Sequence, residues 1–507
     1  MASGGASAIN EKYDDGNQPT TEPADKLRKR NLSVIIAFSY FSLTGRSLWI
    51  KSCLAIYIHI ISRGNPLVLG WLTSLMGVSQ LVSSLVSGYV ADQRCIGREG
   101  VLRFAILLGV PTFFVTAWAA RTEQVSFVAV ALTLWGIYWG ALVPPTGALL
   151  VDSTGAGEER SKWITRRFIA KKYGQASGPA TALALFLLRG DEWTAHDCAF
   201  VIGAGQVVSF FAAILLCWLR DNHRDEIVIE SDRCGWLEGG FNNCYGGLIG
   251  MRRLIQSFKR KHGATVAEKN CKIFEQTPLL LEDVADNYVT FDEDRPMYDS
   301  NSPDSDDVSR DSYRPVTESA TNSQKIAKTI VLADISLAIA EGMTVRFFPL
   351  FFIDLLGFRP VQLFPLYIVS HLLQAEVAKL LRVLGHRYGR IQTSFVGRLV
   401  SALALLGISL SYKLRLPSMI TCVVYIVHMC ALNSPKPLTK GVLMDNVPEN
   451  ERARWNALES VNQFSWSGSA ILGSIIVNRW GIVWNFVTTA LLQFAAAIPL
   501  LLLFNLE

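Results

Sequence analysis

Two polar stretches, LLVDSTGAGEERSKW at residues 149–163 and VLMDNVPENERARW at residues 442–455, interrupt long apolar runs of this 507-residue chain. In each, an aliphatic run ends in an acid, and an arginine follows one or two further acids. A second base comes two residues later, and a tryptophan closes the stretch. The two leading acids, Asp152 and Asp445, are 293 positions apart. This pairing indicates that the chain contains two copies of one structural unit.

Other residues repeat at nearly the same distance, each at an equivalent place beside an apolar block. Two dipeptides, Gly97-Arg98 and Gly389-Arg390, are 292 positions apart. The remaining pairs are Pro66 with Pro360, Pro144 with Pro437, and Trp163 with Trp455. One such match carries little weight, but several within two residues of one offset predict two homologous halves.

Composition places the chain in a membrane. Half of its residues are hydrophobic and 18% are charged, whereas soluble proteins carry about a quarter of charged residues. Several apolar blocks reach the length of about 18 residues that spans a bilayer as a helix. The predicted spans are residues 32–61, 66–90, 100–120, 125–150, 173–189, 198–219, 328–356, 361–383, 392–411, 417–437, 457–477 and 483–504. The predicted fold is therefore all-α, with twelve transmembrane helices in two pseudo-symmetric six-helix bundles.

The charges outside the spans predict the topology. Bases are concentrated in the short loops on one side, which by the positive-inside rule makes both tails cytosolic. The expected organisation is a disordered cytosolic tail (1–31), a first bundle (32–219), a largely disordered cytosolic loop (220–327) and a second bundle (328–507). The basic lead-in of the fifth span, which ends at Lys172, is expected at the lipid headgroups.

The central loop carries a short pattern for sorting. Glu275, Leu279 and Leu280 fit an acidic dileucine signal, whose partners would be sorting adaptors. The expected location is the plasma membrane or a vacuolar or lysosomal membrane, and use of this signal would select the latter.

Residues after the second span resemble the signature of the major facilitator superfamily. The stretch runs Gly88-Tyr-Val-Ala-Asp92-Gln-Arg94-Cys-Ile-Gly97-Arg98, with one more residue between Asp92 and Gly97 than the family pattern has. The resemblance implies alternating access of two bundles around a midplane site. It also implies a cytosolic gate of charged contacts, although these residues could instead only anchor helices at the headgroups. The candidate gate residues are Gly88, Asp92, Arg98, Asp152, Arg160, Asp445 and Arg452.

Ionisable side chains inside the spans are the candidates for substrate binding and coupling, because each costs about 2.5–3.5 kcal/mol to insert. One interpretation is that Arg46 holds an anionic substrate while Glu341 or Asp334 carries a coupling proton. The alternative is a permanent Arg46–Glu341 ion pair, and Arg346 is expected on another face of its helix. For the histidines, structural hydrogen bonds are the alternative, and for the tryptophans, packing. The full candidate set is Arg46, Lys51, Trp135, Trp139, Asp334, Glu341, Arg346, His371, His428 and Glu459.

The predicted function is a secondary transporter of a small organic solute, coupled to protons. Facilitated diffusion without coupling and a non-transporting nutrient sensor of the same fold are the alternatives. The nine cysteines show no CxxC spacing, and the sequence contains no nucleotide-binding glycine loop or nucleophile elbow. We therefore expect no enzyme activity, no cofactor or metal, and no nucleic-acid partner; the expected partners are the solute, protons and the lipid bilayer.

Overall fold

A computed structural model describes residues 22–91, 97–154, 158–220, 316–447 and 461–504. Within these ranges the regular structure is helical throughout, which confirms the all-α prediction. The described residues 22–220 and 326–504 belong to one compact unit.

The described helices form twelve rods, here called α1 to α12 in chain order. In the first half they are α1 (Glu22–Arg46, then a π-helical Ser47–Lys51 and Leu54–Ile61), α2 (Pro66–Ala91), α3 (Gly97–Thr122), α4 (Val125–Asp152), α5 (Glu158–Arg189) and α6 (Ala195–Leu215). In the second half they are α7 (Val316–Val345, Phe348–Leu350 and a π-helical Phe351–Leu355), α8 (Pro360–Tyr388), α9 (Arg390–Lys413), α10 (Ser418–Asn433 and Lys436–Asp445), α11 (461–468 and Ala470–Trp480) and α12 (Ile482–Leu501).

Hydropathy separates these rods into two groups. Among the described residues, eight rods are long and apolar enough to cross a membrane: α1, α2, α3, α4, α6, α9, α10 and α12. The others include α5 and α8, which carry charged residues well inside their lengths. Charge inside a membrane helix is costly, so the charged residues of these two rods are candidates for a functional role.

The internal repeat extends to the backbone of the turns. Three pairs of glycines adopt positive φ at equivalent turns of the two halves, where a residue with a Cβ would be strained. These pairs are Gly64 with Gly357 (φ 83° and 68°), Gly97 with Gly389 (64° and 94°), and Gly190 with Gly481 (127° and 89°). Their separations of 293, 292 and 291 positions reproduce the offset of the polar stretches. The two halves are thus built on the same sequence of turns.

The halves are closed against each other at one end of the bundle. We call the end that holds Arg98 and Asp445 the signature side, and the other end the opposite side. On the opposite side, the Trp193 indole N–H donates to the Phe358 carbonyl oxygen (2.9 Å), and the His59 imidazole Nε2 lies 3.3 Å from the Asp354 carboxylate. Each contact joins a residue of the first half to one of the second.

Small residues bring α2 and α11 together in the half of the bundle nearer the opposite side. The Ser74 hydroxyl donates to the carbonyl oxygens of Ser467 and Gly468, at 3.3 and 3.1 Å. A Cβ added to Gly77 would lie only 1.9 Å from the Ser467 hydroxyl oxygen. Helix backbones can approach this closely only where side chains are minimal.

Candidate functional site

Charged side chains from both halves converge between the bundles and form what we call the basic cluster. Lys51 lies within electrostatic range of Arg46, Arg346, Lys436 and Glu341. Lys172 interacts in the same way with Lys51, Lys436 and Glu341. The cluster therefore contains five basic residues and one acid: Arg46 and Lys51 on α1, Lys172 on α5, Glu341 and Arg346 on α7, and Lys436 on α10.

Glu341 pairs with Lys436 rather than with Arg46. The Lys436 ammonium donates to Glu341 Oε2 at 2.8 Å, and Glu341 is 8% exposed. Its other oxygen, Oε1, is buried and has no hydrogen-bond partner among the described residues. The acid is therefore half satisfied, and one of its oxygens can accept a proton or a hydrogen bond.

The two arginines of the cluster are each placed against a tryptophan. The Arg46 guanidinium carbon lies 4.4 Å from the centre of the Trp139 ring, within the range of a cation–π contact. The Arg346 guanidinium carbon lies 5.3 Å from the Trp466 ring, and Gly342 allows this arrangement because it packs on the Trp466 backbone. Such contacts hold a cation in an apolar setting without neutralising it.

Arg346, which was predicted on another face of its helix than Asp334 and Glu341, reaches the space between the halves from a turn. The regular part of α7 ends at Val345, and residues 346–347 form a turn, so helical periodicity does not extend to this side chain. Arg346 is 5% exposed, and its Nη1 donates to the Ile50 carbonyl oxygen of the first half at 3.2 Å. Ile50 lies in the π-helical segment of α1, and segments of this kind are frequent at functional sites.

Lys172 also lies inside the protein and not at the headgroups as expected. Because α5 begins at Glu158, Lys172 is 14 residues, or about 21 Å, along the helix. It is 6% exposed, and its ammonium donates to the Gln374 Oε1 on α8 at 2.6 Å. The Gln374 amide in turn donates to the Ser370 hydroxyl (3.0 Å) and lies 3.4 Å from His371 Nδ1. His371 thus belongs to a buried network that joins the two halves.

Two candidates from the sequence lie in packed regions. Trp135 is 2% exposed, donates to the Gln206 side chain at 3.2 Å, and packs against three other aromatic rings. His428 is 1% exposed, and its Nδ1 lies 2.9 Å from the Ser401 carbonyl oxygen. In both cases the polar atom is used in a hydrogen bond within one half.

On the signature side, three of the predicted gate residues, Arg98, Asp152 and Asp445, take part in a symmetric pair of ion pairs, and the fourth member is Arg390, which was not among the candidates. Arg98 bonds Asp152, and Arg390 bonds Asp445 at 2.7 Å. The residues of one pair are 292 and 293 positions from those of the other, so the repeat reproduces the contact itself. Each pair joins helices of a single half (α3 to α4, and α9 to α10) and does not cross between the halves.

The remaining sequence candidates are distributed as follows. A Cβ on Gly88 would meet Pro144 at 4.0 Å, and Arg160 lies in the first turn of α5. Asp92, Arg452, Glu459, Glu275, Leu279 and Leu280 lie outside the described residues.

Comparison with known proteins decides the family. The family model described as "Major Facilitator Superfamily" matches residues 32–461, which is most of the chain. The chain belongs to the major facilitator superfamily. No curated protein matches the sequence closely enough to narrow this further.

Solved structures of the superfamily share the fold at low sequence identity. A D-xylose–proton symporter has a TM-score of 0.62 at 12% identity, with 92% of this chain and 96% of that chain covered. A POT family transporter in complex with a thioalcohol-conjugated peptide has a TM-score of 0.61 at 11% identity, covering 94% and 96%. The human organic anion transporter MFSD10 (TETRAN) has a TM-score of 0.57 at 14% identity, covering 93% and 99%. These likenesses establish the fold.

Membership of the superfamily confirms three predictions. The chain is a multi-pass integral membrane protein with this fold, it belongs to a family of membrane transporters, and that family is not one of enzymes. The subfamily is not identified by these comparisons.

Sequence reasoning missed three basic residues: Lys172 and Lys436 of the basic cluster, and Arg398. Lys172 was hidden in a basic run, and Lys436 stands at the end of an apolar block, where bases usually mark the headgroups. Arg398 on α9 is 4% exposed and bonds Asp334 on α7. It also donates to the carbonyl oxygens of Ala333 (3.1 Å) and Ala496 (3.4 Å). A lone arginine in the middle of an apolar block was the available signal for Arg398.

We expect Arg398→Met to lower the free energy of unfolding by roughly 2–3 kcal/mol, since it removes hydrogen bonds to a charged group and the buried ion pair with Asp334. The matched control is Arg103→Met, whose pair with Glu99 is exposed and should cost less than about 1 kcal/mol. Denaturant titration of both purified variants measures the difference. Equal stability of the two variants would contradict the structural role of Arg398.

Proposed function

We propose that this protein is a secondary transporter that moves a small organic anion across a membrane by alternating access, with protons as the coupling ion. The observation that carries the proposal is the basic cluster, in which five cations and one acid meet between the halves. With Glu341 paired to Lys436, four formal positive charges remain. An anionic solute offsets such charge, whereas a cation would be repelled.

The cost of the cluster supports a functional role. Each ionisable group within a membrane domain costs about 2.5–3.5 kcal/mol to insert, and such groups are retained mainly where they act on ions or substrates. The name of one structure with this fold, an organic anion transporter, is consistent with the charge of the cluster. The name of another, a proton symporter, is consistent with coupling through an acid.

Alternating access is supported by the repeat and by the small-residue contact of α2 with α11. Two bundles with the same turns can rock about a site that both of them line. The contacts at Ser74 and Gly77 close the opposite side without bulky interlocking, so they can open as a unit. Glu341 is proposed as the proton carrier because one oxygen is free while the other holds Lys436.

The orientation proposed here has both termini in the cytosol. It rests on the concentration of bases in the loops of the signature side. Under this orientation the protein is closed toward the extracellular or luminal side, in the plasma membrane or in a vacuolar or lysosomal membrane.

The test is uptake into liposomes that contain the purified protein, with a panel of radiolabelled anionic, neutral and cationic solutes. We expect uptake of at least one organic anion, accelerated by a proton gradient, and no uptake of cations. Anion uptake at the same rate with and without the proton gradient would favour facilitated diffusion. Specific binding of a solute without any flux would favour a sensor.

A further inference from the structure

The Arg346 guanidinium is bonded on one side and free on the other. Its Nη1 donates to the Ile50 carbonyl oxygen at 3.2 Å. Its Nε and Nη2 are buried and have no hydrogen-bond partner among the described residues, although the side chain is only 5% exposed. Buried donors in proteins nearly always have partners, so an arginine with two free donors in the interior calls for an explanation.

The two free atoms lie on the same edge of the guanidinium group. The Nε–H and Nη2–H bonds of an arginine point in parallel, and this edge pairs with two oxygens of a carboxylate or phosphate. The remaining donor, Nη1, is the one that Ile50 occupies. Arg346 therefore presents its bidentate edge, and the contact with the first half fixes the direction of that edge.

The surroundings of this edge carry further positive charge. Arg46 and Lys51 are both within electrostatic range of Arg346. Glu341 is occupied by Lys436 and does not neutralise them. A solute with a single negative charge at Arg346 would leave these cations uncompensated, whereas a solute with a second negative charge would face them.

We propose that Arg346 is the receptor for an oxyanion of the substrate, through its Nε–Nη2 edge, and that the substrate is a dianionic organic solute whose second charge faces Arg46 and Lys51. This inference rests on the proposed function, because it assigns the substrate class of the same site. The chemistry that the edge recognises is a pair of oxygens on one group, which a carboxylate or a phosphoryl group supplies.

The test begins with the unmodified full-length protein, which avoids any question of misfolded variants. Purified protein is titrated with succinate, glycerol 3-phosphate and acetate, and binding is followed by the shift of its melting temperature. We expect succinate or glycerol 3-phosphate to bind at least tenfold more tightly than acetate, and the comparison of the two distinguishes a carboxylate from a phosphoryl group. Equal binding of acetate and both dianions, or binding of none of the three, would overturn the proposal.

The second arm removes the bidentate edge while keeping the charge. Arg346→Lys retains a cation but loses that edge, and the matched control is Arg103→Lys, an exposed arginine outside the basic cluster. We expect the affinity for the preferred dianion to fall at least tenfold in Arg346→Lys and to stay unchanged in Arg103→Lys, with both variants monodisperse in gel filtration. Arg346→Lys protein that binds as tightly as the unmodified chain, or an equal loss in both variants, would overturn the proposal.

Flux measurements distinguish failure of this inference from failure of the proposed function. If the unmodified protein transports a dianion in liposomes and Arg346→Lys binds that dianion normally, Arg346 is not the receptor. The proposal of anion transport would still be supported. Selective dianion binding that depends on Arg346, without any flux, would support the receptor and reject transport.

Discussion

Glu341→Gln is expected to abolish the accumulation of anion that an inward proton gradient drives, while anion exchange at equal pH continues. Glu341 is the acid of the basic cluster, and its free Oε1 can take up a proton as Lys436 is released. Glutamine has nearly the same shape but cannot load or release a proton. For one coupled proton, a gradient of one pH unit drives about tenfold accumulation. In the variant, the internal and external anion concentrations should instead be about equal.

The matched control is Asp334→Asn, which changes an acid on the same helix seven residues earlier. Asp334 is bonded by Arg398, which lies in the same half. The Asp334→Asn variant should accumulate the anion in a proton gradient to the same level as the unmodified protein, when equal amounts of folded protein are compared. The measurement is the ratio of internal to external anion in liposomes at imposed pH differences. Accumulation by Glu341→Gln at the level of the unmodified protein would contradict the assignment of the proton to Glu341.

The repeat could be predicted from the sequence, because its polar stretches and Gly-Arg dipeptides occur twice at nearly one offset. The repeated acids are Asp152 and Asp445, and the repeated bases are the arginines of the two Gly-Arg dipeptides. In the structure these residues form two equivalent ion pairs beside glycines of positive φ. The partners in each pair are 54 or 55 positions apart, so the duplication was recognisable from the sequence and the pairing required the structure.

The composition of the basic cluster could not be predicted in the same way, because its members lie on four helices of two halves. Lys172 and Lys436 follow or end polar runs, where a base has an ordinary explanation at the membrane surface. Only the start of α5 at Glu158 and the contact with Gln374 place Lys172 in the interior. The partner of Glu341 likewise depends on how α7 packs against α10, which neither helix encodes alone.

The tryptophans of α4 show the limit of helical spacing. Trp135 and Trp139 are four residues apart and share a face of the helix, so helical spacing predicts the same role for both. They are separated by about 6 Å along the axis. That distance puts Trp135 in an aromatic cluster and Trp139 against the Arg46 guanidinium. Depth along the bundle, which periodicity does not report, decides their roles.

Gly77→Leu is expected to disfavour closure of the opposite side and to slow transport. A Cβ at this position would meet the Ser467 hydroxyl oxygen at 1.9 Å and its Cβ at 2.6 Å. Ser467 is 2% exposed and has little room to move, so the leucine must push α2 away from α11. Overpacking of this kind costs about 1–3 kcal/mol. The closed state should therefore lose population by roughly 5–150-fold, and turnover should fall with it.

The state of this contact can be followed with Ser74→Cys in a background without the native cysteines. Ser74 bonds the α11 backbone and is 8% exposed, so a cysteine there reacts with a membrane-impermeant maleimide only when the contact opens. Adding Gly77→Leu should raise the labelling rate from the opposite side at least tenfold. Adding Gly203→Leu on α6 is the matched control, because a Cβ there meets nothing within 4 Å. Normal transport by Gly77→Leu with unchanged labelling would show that α2 and α11 do not form the closing contact, and alternating access would then need another gate.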